Sequence, residues 1–157
     1  MKKTEVRRGP RLSREGKLRL GCSAVIFDRE HKKVLLTRRT DNGMWCLPGG
    51  AMDSGESAAE ACIREVWEET GLKVEVLRLV GVYSDPDQLV IYPDGHKAHI
   101  VALSFEAGVI GGELGLSSET TEAGYFSLEE SRSLVLIGQH GQRIEDALAG
   151  QSEAFIR

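Results

Sequence analysis

Residues 50–72 read GAMDSGESAAEACIREVWEETGL, and the reading of this stretch decides the fold. Ser57, followed three residues later by Glu60, is an N-terminal capping box; good helix formers fill the interior, and Gly71 stands where a left-handed residue ends a helix. Projected at about 100° per residue, Glu65, Glu68 and Glu69 fall at i, i+3 and i+4 and share one face across a single turn. Ala59, Cys62, Ile63, Val66 and Thr70 form the adjacent flank, which is predicted to lie on a sheet, and Ala61 leaves room in front of the acids. Glu60, Arg64 and Glu68 form a stripe in which Arg64 bridges two carboxylates. Three like charges this close raise each other's pKa values unless a cation sits among them. A hard divalent cation accounts for the cluster, since Mg²⁺ and Mn²⁺ prefer carboxylate, carbonyl and water oxygens. A solvated acidic helix face is the plain alternative.

The wider pattern favours the cation. Gly50, five residues, Glu56, seven residues, and then Arg64-Glu65-Val66-Trp67-Glu68-Glu69-Thr70-Gly71-Leu72 resemble the Nudix box, G-x5-E-x7-R-E-U-x-E-E-x-G-U, at every defined position, with Val66 and Leu72 as the bulky aliphatics U. The resemblance implies an α/β fold: an α/β/α sandwich with a mixed sheet, the box helix on one side and further helices on the other. It implies hydrolysis of the pyrophosphate of a nucleoside diphosphate linked to another moiety. It also implies a Mg²⁺ cofactor, for which Mn²⁺ can substitute, held by Glu65, Glu68, Glu69 and the carbonyl of Gly49, with Arg64 as the orienting cation. Glu56 is either an outer partner of the Arg64 network or a helix-start acid that favours the positive end of the dipole. Within the box Glu68 or Glu69 can act as general base. A carboxylate from a loop before the last sheet strand often completes such sites; here Glu119 has the better spacing and Glu122 is the second choice.

The flanking sequence reads as alternating strands and turns. Residues 18–28 and 33–38 are β-rich runs joined by the polar turn 29–32, and residues 44–47 form a short apolar element leading to Pro48-Gly49-Gly50, where glycines allow close backbone approach. After the box, strands are predicted over 73–84, 89–92, 96–107 and 124–126, with a flexible Gly/Ser-rich connection at 108–118. Helices are predicted from Ser127 and over about 139–149. Strands, a long helix, then strands and helices again indicate a mixed α/β sandwich.

Composition bounds the function. The chain has 157 residues and a formal net charge of −4, with 41% hydrophobic and 28% charged residues, the profile of one globular domain. Residues 1–17 are predicted to be a basic N-terminal arm and 18–157 a single domain. Through residue 19 the chain carries eight Lys/Arg against two Glu, so the remainder is strongly acidic. Such an arm can attract nucleic acid, but no aromatic residue is interleaved with its charges, which argues against that partner. A frayed terminus, or an edge strand docked on the acidic domain, is the simpler expectation. Three cysteines in apolar contexts indicate reduced, buried thiols and a cytoplasmic location, and no run is long and apolar enough for a membrane span.

The expected partner is a small nucleotide diphosphate or triphosphate. Arg38 and Arg39 are candidates for its phosphates, and Trp45, Tyr83 or Tyr92 for stacking on its base. An ADP-ribose-like nucleotide sugar is the first expectation. The alternatives are a (d)NTP pyrophosphohydrolase of the housecleaning type, releasing NMP and pyrophosphate, and a non-catalytic ligand-sensing domain. Homodimers are common among proteins of this kind, so a homodimer is the expected assembly.

Overall fold

The computed structural model describes residues 3–157; Met1 and Lys2 of the basic arm lie outside the described residues. In chain order the strands are β1 (Glu5–Arg8), β2 (Lys17–Val25), β3 (Lys33–Arg39), β4 (Trp45–Cys46) and β5 (Gly49–Ala51). The box helix α1 (Ala58–Thr70) follows, then β6 (Leu72–Tyr83), β7 (Gln88–Ile91), β8 (Lys97–Gly112) and β9 (Thr120–Ser127). Helices α2 (Leu128–Ser133) and α3 (His140–Ala149) and the short β10 (Phe155–Ile156) complete the chain.

Strand β8 is the spine of a seven-stranded mixed sheet, pairing in parallel with β2 and antiparallel with β6 and β7. Beyond β2 lies β5, antiparallel and at the sheet edge, and beyond β7 lies β1. Strands β4, β3 and β9 form a separate three-stranded sheet, so the single sheet expected from the sequence is divided in two. Period-two alternation sends side chains to opposite faces. Cys22, Ala24, Ile26 and Leu35 pack with Ala61, Cys62 and Val66 of α1, whereas Val25, Val34 and Leu36 pack with Ile144 and Ala147 of α3. The result is helix, sheets, helix.

Helix α1 begins as the sequence predicts. Ser57 Oγ accepts from the Glu60 backbone N–H, and the Glu60 carboxylate accepts from that of Ser57; a cap of this kind is worth about 1 kcal/mol. Gly71 closes the helix at φ 74°, where its N–H donates to the Trp67 carbonyl. Because Glu60 is committed to the cap, the predicted Glu60–Arg64 bridge does not form. Ile63, assigned to the sheet flank, is instead 37% exposed, and Ala61 takes the buried position. The helix turns its buried stripe closer to the acids than the projection assumed.

Two further expectations change. Residues 108–112 are strand rather than flexible connection: Val74 pairs with Val109 and Leu72 with Gly112, with a bulge between Lys73 and Val74, and glycine inside a strand often marks such a bulge. Strand β10, which adds in parallel to β6 at Gly81 and Val82, is too short to leave a sequence signal. The N-terminal segment docks on the body, with Glu5 opposite Ile91 in register and Lys97 paired with Glu15 at 2.7 Å.

Candidate active site

Strand β5 lies between α1 and β2, and its glycines set how closely the acids approach the sheet. A Cβ on Gly49 would stand 2.2 Å from the Cys22 carbonyl oxygen, and one on Gly50 would stand 2.5 Å from the carboxyl carbon of Glu65. Glycine at both positions is therefore what lets the Glu65 carboxylate sit against the backbone. One turn on, Glu69 accepts a hydrogen bond from the Gly49 N–H at 3.2 Å. Burial pushes Glu69 up to about 8, with the charges of Glu65 and Glu119 adding to the shift against the Gly49 hydrogen bond and Arg39. Burial likewise raises Glu65, opposed by Arg64.

Arg64 is the hub of the cluster. Its Nε and Nη2 grip both oxygens of Glu56, and Nη1 donates to Glu65 at 2.9 Å and Glu68 at 3.2 Å. Nη2 also donates to the Ala51 carbonyl, tying the helix to β5. Glu56 in turn accepts from the Asp53 N–H. Glu68 is exposed and shares the Arg64 Nη1 with Glu65, whereas Glu69 lies deeper against β5.

A cleft of about 270 Å³ opens beside Glu69, lined also by Arg39, Asp41, Cys46 and Glu119. Glu119 thus shares a wall with Glu69, while Glu122 stands outside, exposed and paired with Arg38 at 2.7 Å. That pairing occupies Arg38 at the surface. Arg39, held by Asp41 at 2.8 Å, borders both this cleft and a second cavity of about 170 Å³ that reaches the α3 side of the sheet. Trp45 cannot stack on a ligand as placed: it is 9% exposed and packs edge-on against Phe126 in the core. Tyr83 is likewise buried, donating to Asp146 at 2.8 Å, and both it and Tyr92 line the second cavity.

Two residues of that cavity escaped the sequence reading, His140 and Arg143 of α3. They stand at i and i+3 with Ile144 and Ala147 at i+4 and i+7, so the spacing puts both on the helix's apolar stripe. A histidine and an arginine on a buried stripe are the signal that was available.

The donors that α1 and β5 offer are oxygens: two inward carboxylates and the carbonyls of β5. Among the described residues no three His, Cys, Asp or Glu side chains converge as a ready-made cage. This still fits Mg²⁺, which is commonly bound through one or two carboxylates together with waters and substrate phosphates.

Comparison with known proteins points to one family. A family model, NUDIX domain, matches residues 17–147. The chain is 38% identical over 123 residues to an ADP-ribose pyrophosphatase of Methanocaldococcus jannaschii, covering 77% of this chain and 68% of that protein. It is 38% identical over 127 residues to a MutT-like protein of Streptomyces ambofaciens, covering 81% and 75%. Among solved structures, a NUDIX hydrolase from Nitrosomonas europaea superposes with a TM-score of 0.71 at 28% identity, covering 85% of this chain and 90% of that one.

Proposed function

The chain belongs to the Nudix family of hydrolases, and from that premise we propose that it is a Mg²⁺-dependent pyrophosphohydrolase of nucleoside diphosphates linked to a sugar or similar moiety. The observation that carries this reading is the desolvated pair Glu65 and Glu69, brought together against β5 by Gly49 and Gly50. Bare carboxylates repel a polyphosphate, so the pair is useful only with a cation between it and the substrate.

Glu65, Glu69 and the Gly49 carbonyl would hold the ion, with Glu68 within reach by rotation about its own side chain. The bound cation supplies neutralisation of the diphosphate charge and activation of water. Arg64 fixes Glu65 and Glu68 while its contact with the Ala51 carbonyl keeps the helix at its distance from β5. Glu119, exposed on the wall shared with Glu69, takes the proton of the attacking water. Arg39 adds a cation where the cleft meets the second cavity.

A nucleotide sugar comes first as substrate class because the M. jannaschii relative carries the name ADP-ribose pyrophosphatase. Triphosphate cleavage comes second, favoured by the MutT-like relative. Mn²⁺ is expected to replace Mg²⁺. A homodimer and a cytoplasmic location are part of the same reading, the latter supported by three free buried thiols. Among the described residues no helix is long and apolar enough to cross a membrane.

Incubation with a nucleotide library and Mg²⁺, with products identified by mass, tests the proposal. A nucleoside monophosphate plus a sugar phosphate is the expected pair. Pyrophosphate as the main product would move the assignment to triphosphates, and no metal-dependent cleavage of any compound would refute it.

A further inference from the structure

The second cavity holds an unexplained cation. Arg143 is 6% exposed and makes no ion pair among the described residues. Its Nη1 donates to Ser23 Oγ at 3.2 Å, its Nε is buried without a partner, and no hydrogen bond from Nη2 is found among the described residues. Burial draws the group down to about 10, so it is still charged at neutral pH. The buried Asp146, three residues on along α3, is already committed, accepting from Tyr83, Gln142 and Arg157. The guanidinium lies over the Tyr83 ring, 5.1 Å from its centroid, which leaves its edges as the groups able to bond.

His140 adds a donor. Leu47 N–H donates to Nδ1 at 2.9 Å, so the neutral ring carries its proton on Nε2. Burial and the nearby arginines hold the ring well below the usual histidine range, which keeps it neutral. Nε2 stands 3.3 Å from Arg143 Nη1, and since both atoms carry protons they cannot bond each other. Arg143 and His140 therefore offer donors at one end of a cavity lined by the apolar Leu47, Val90 and Ile100 and by the polar Arg19, Gln88 and Gln139. A partly apolar slot with converging donors accepts a flat ring that offers acceptors.

The cavity lies on the α3 face, because Ser23 alternates with Cys22 and Ala24, which face α1. Its rim is β5, whose other contacts are Glu65 and Glu69. A nucleotide with its phosphates at the carboxylates would cross that edge strand and put its base in the slot.

We propose that Arg143 and His140 read the base of the substrate, and that the base is guanine, bound through its adjacent acceptors O6 and N7. Arginine pairs with these two atoms through neighbouring N–H groups, whereas adenine presents an amino donor beside N7. Uracil has no such pair; cytosine has one, O2 and N3, and CMP is therefore the competitor that the test must set beside GMP. The inference rests on the hydrolase reading only in bringing a nucleotide to the cleft, and it departs from the adenine expected by resemblance.

Calorimetric titration of the metal-free full chain with GMP, AMP, CMP and 7-deaza-GMP tests it without any hydrolysis. GMP is expected to bind at least about tenfold more tightly than any of the others. Arg143→Gln, whose amide suits adenine, is expected to abolish or invert the preference. Wild-type affinity for GMP no better than for AMP, CMP or 7-deaza-GMP, absent binding included, overturns the proposal, and this arm needs no variant to fold. A GMP preference unchanged in a folded Arg143→Gln protein overturns it as well. An active hydrolase without base preference sinks this inference alone, and a GMP-selective protein that cleaves no diphosphate sinks the reaction alone.

Discussion

Glu69→Gln is expected to fold normally and to lose two to three orders of magnitude in kcat at saturating Mg²⁺. The substitution keeps the size of the side chain and an oxygen for the Gly49 N–H, but removes the charge that would hold the cation. Electrostatic stabilisation by a metal is worth several kcal/mol, and each tenfold in rate takes about 1.4 kcal/mol. Steady-state hydrolysis against Mg²⁺ concentration, with circular dichroism to verify folding, measures the effect. Near-parental turnover would remove Glu69 from the site.

The next largest effect is expected for Arg64→Met, a loss on the order of 10–100-fold in activity or in apparent metal affinity, the range found when outer partners of metal ligands are removed. Arg64 alone reaches Glu56, Glu65, Glu68 and the Ala51 carbonyl. Without it the three carboxylates repel one another, and Glu65 loses the contact that opposes its raised pKa. Arg64→Lys should restore little, since an ammonium cannot make several in-plane contacts at once. A rise in the Mg²⁺ concentration needed for half-maximal rate separates this role from a merely structural one. Wild-type Mg²⁺ dependence in Arg64→Met would show that the network is a surface ion cluster.

The parts of the fold that are legible in the sequence share a local cause. Ser57 with Glu60, and Gly71, bound α1 through backbone hydrogen bonds made within a few residues, so spacing alone reveals them. The same holds for α2, where Ser127 and Glu130 repeat the capping box. What escaped depends on pairing across the chain. Residues 108–112 resemble a loop because of their glycines, and only β6 alongside makes them strand.

The site divides the same way. Helical periodicity put Glu65, Glu68 and Glu69 on one face but did not show that Glu65 and Glu69 turn to β5 while Glu68 turns to solvent. That outcome is decided by Gly49 and Gly50, which belong to a different strand. Spacing ranks Glu119 above Glu122 but does not show their surroundings. They separate because β9 pairs Glu122 with Arg38 of β3, whereas Glu119 precedes the strand at the cleft. Trp45 appeared available to a base and is core instead, held by Phe126 and the α3 side of the sheets.

Calorimetry of Mg²⁺ binding at several pH values tests most directly whether the acids of α1 seat a cation. With Glu69 raised from 4.5 to about 8, the metal-free fold holds a proton that the unfolded chain gives up. That contribution to stability is present at low pH and is lost as pH rises through this window. Binding of Mg²⁺ must displace the same proton. The account predicts Mg²⁺ binding that strengthens between pH 6 and 8, with release of up to one proton near neutrality, a larger Mg²⁺-induced rise in thermal midpoint at pH 8 than at pH 6, and loss of proton release in Glu69→Gln. Mg²⁺ binding indifferent to pH and to Glu69→Gln, or no binding with or without a nucleotide diphosphate, would contradict it.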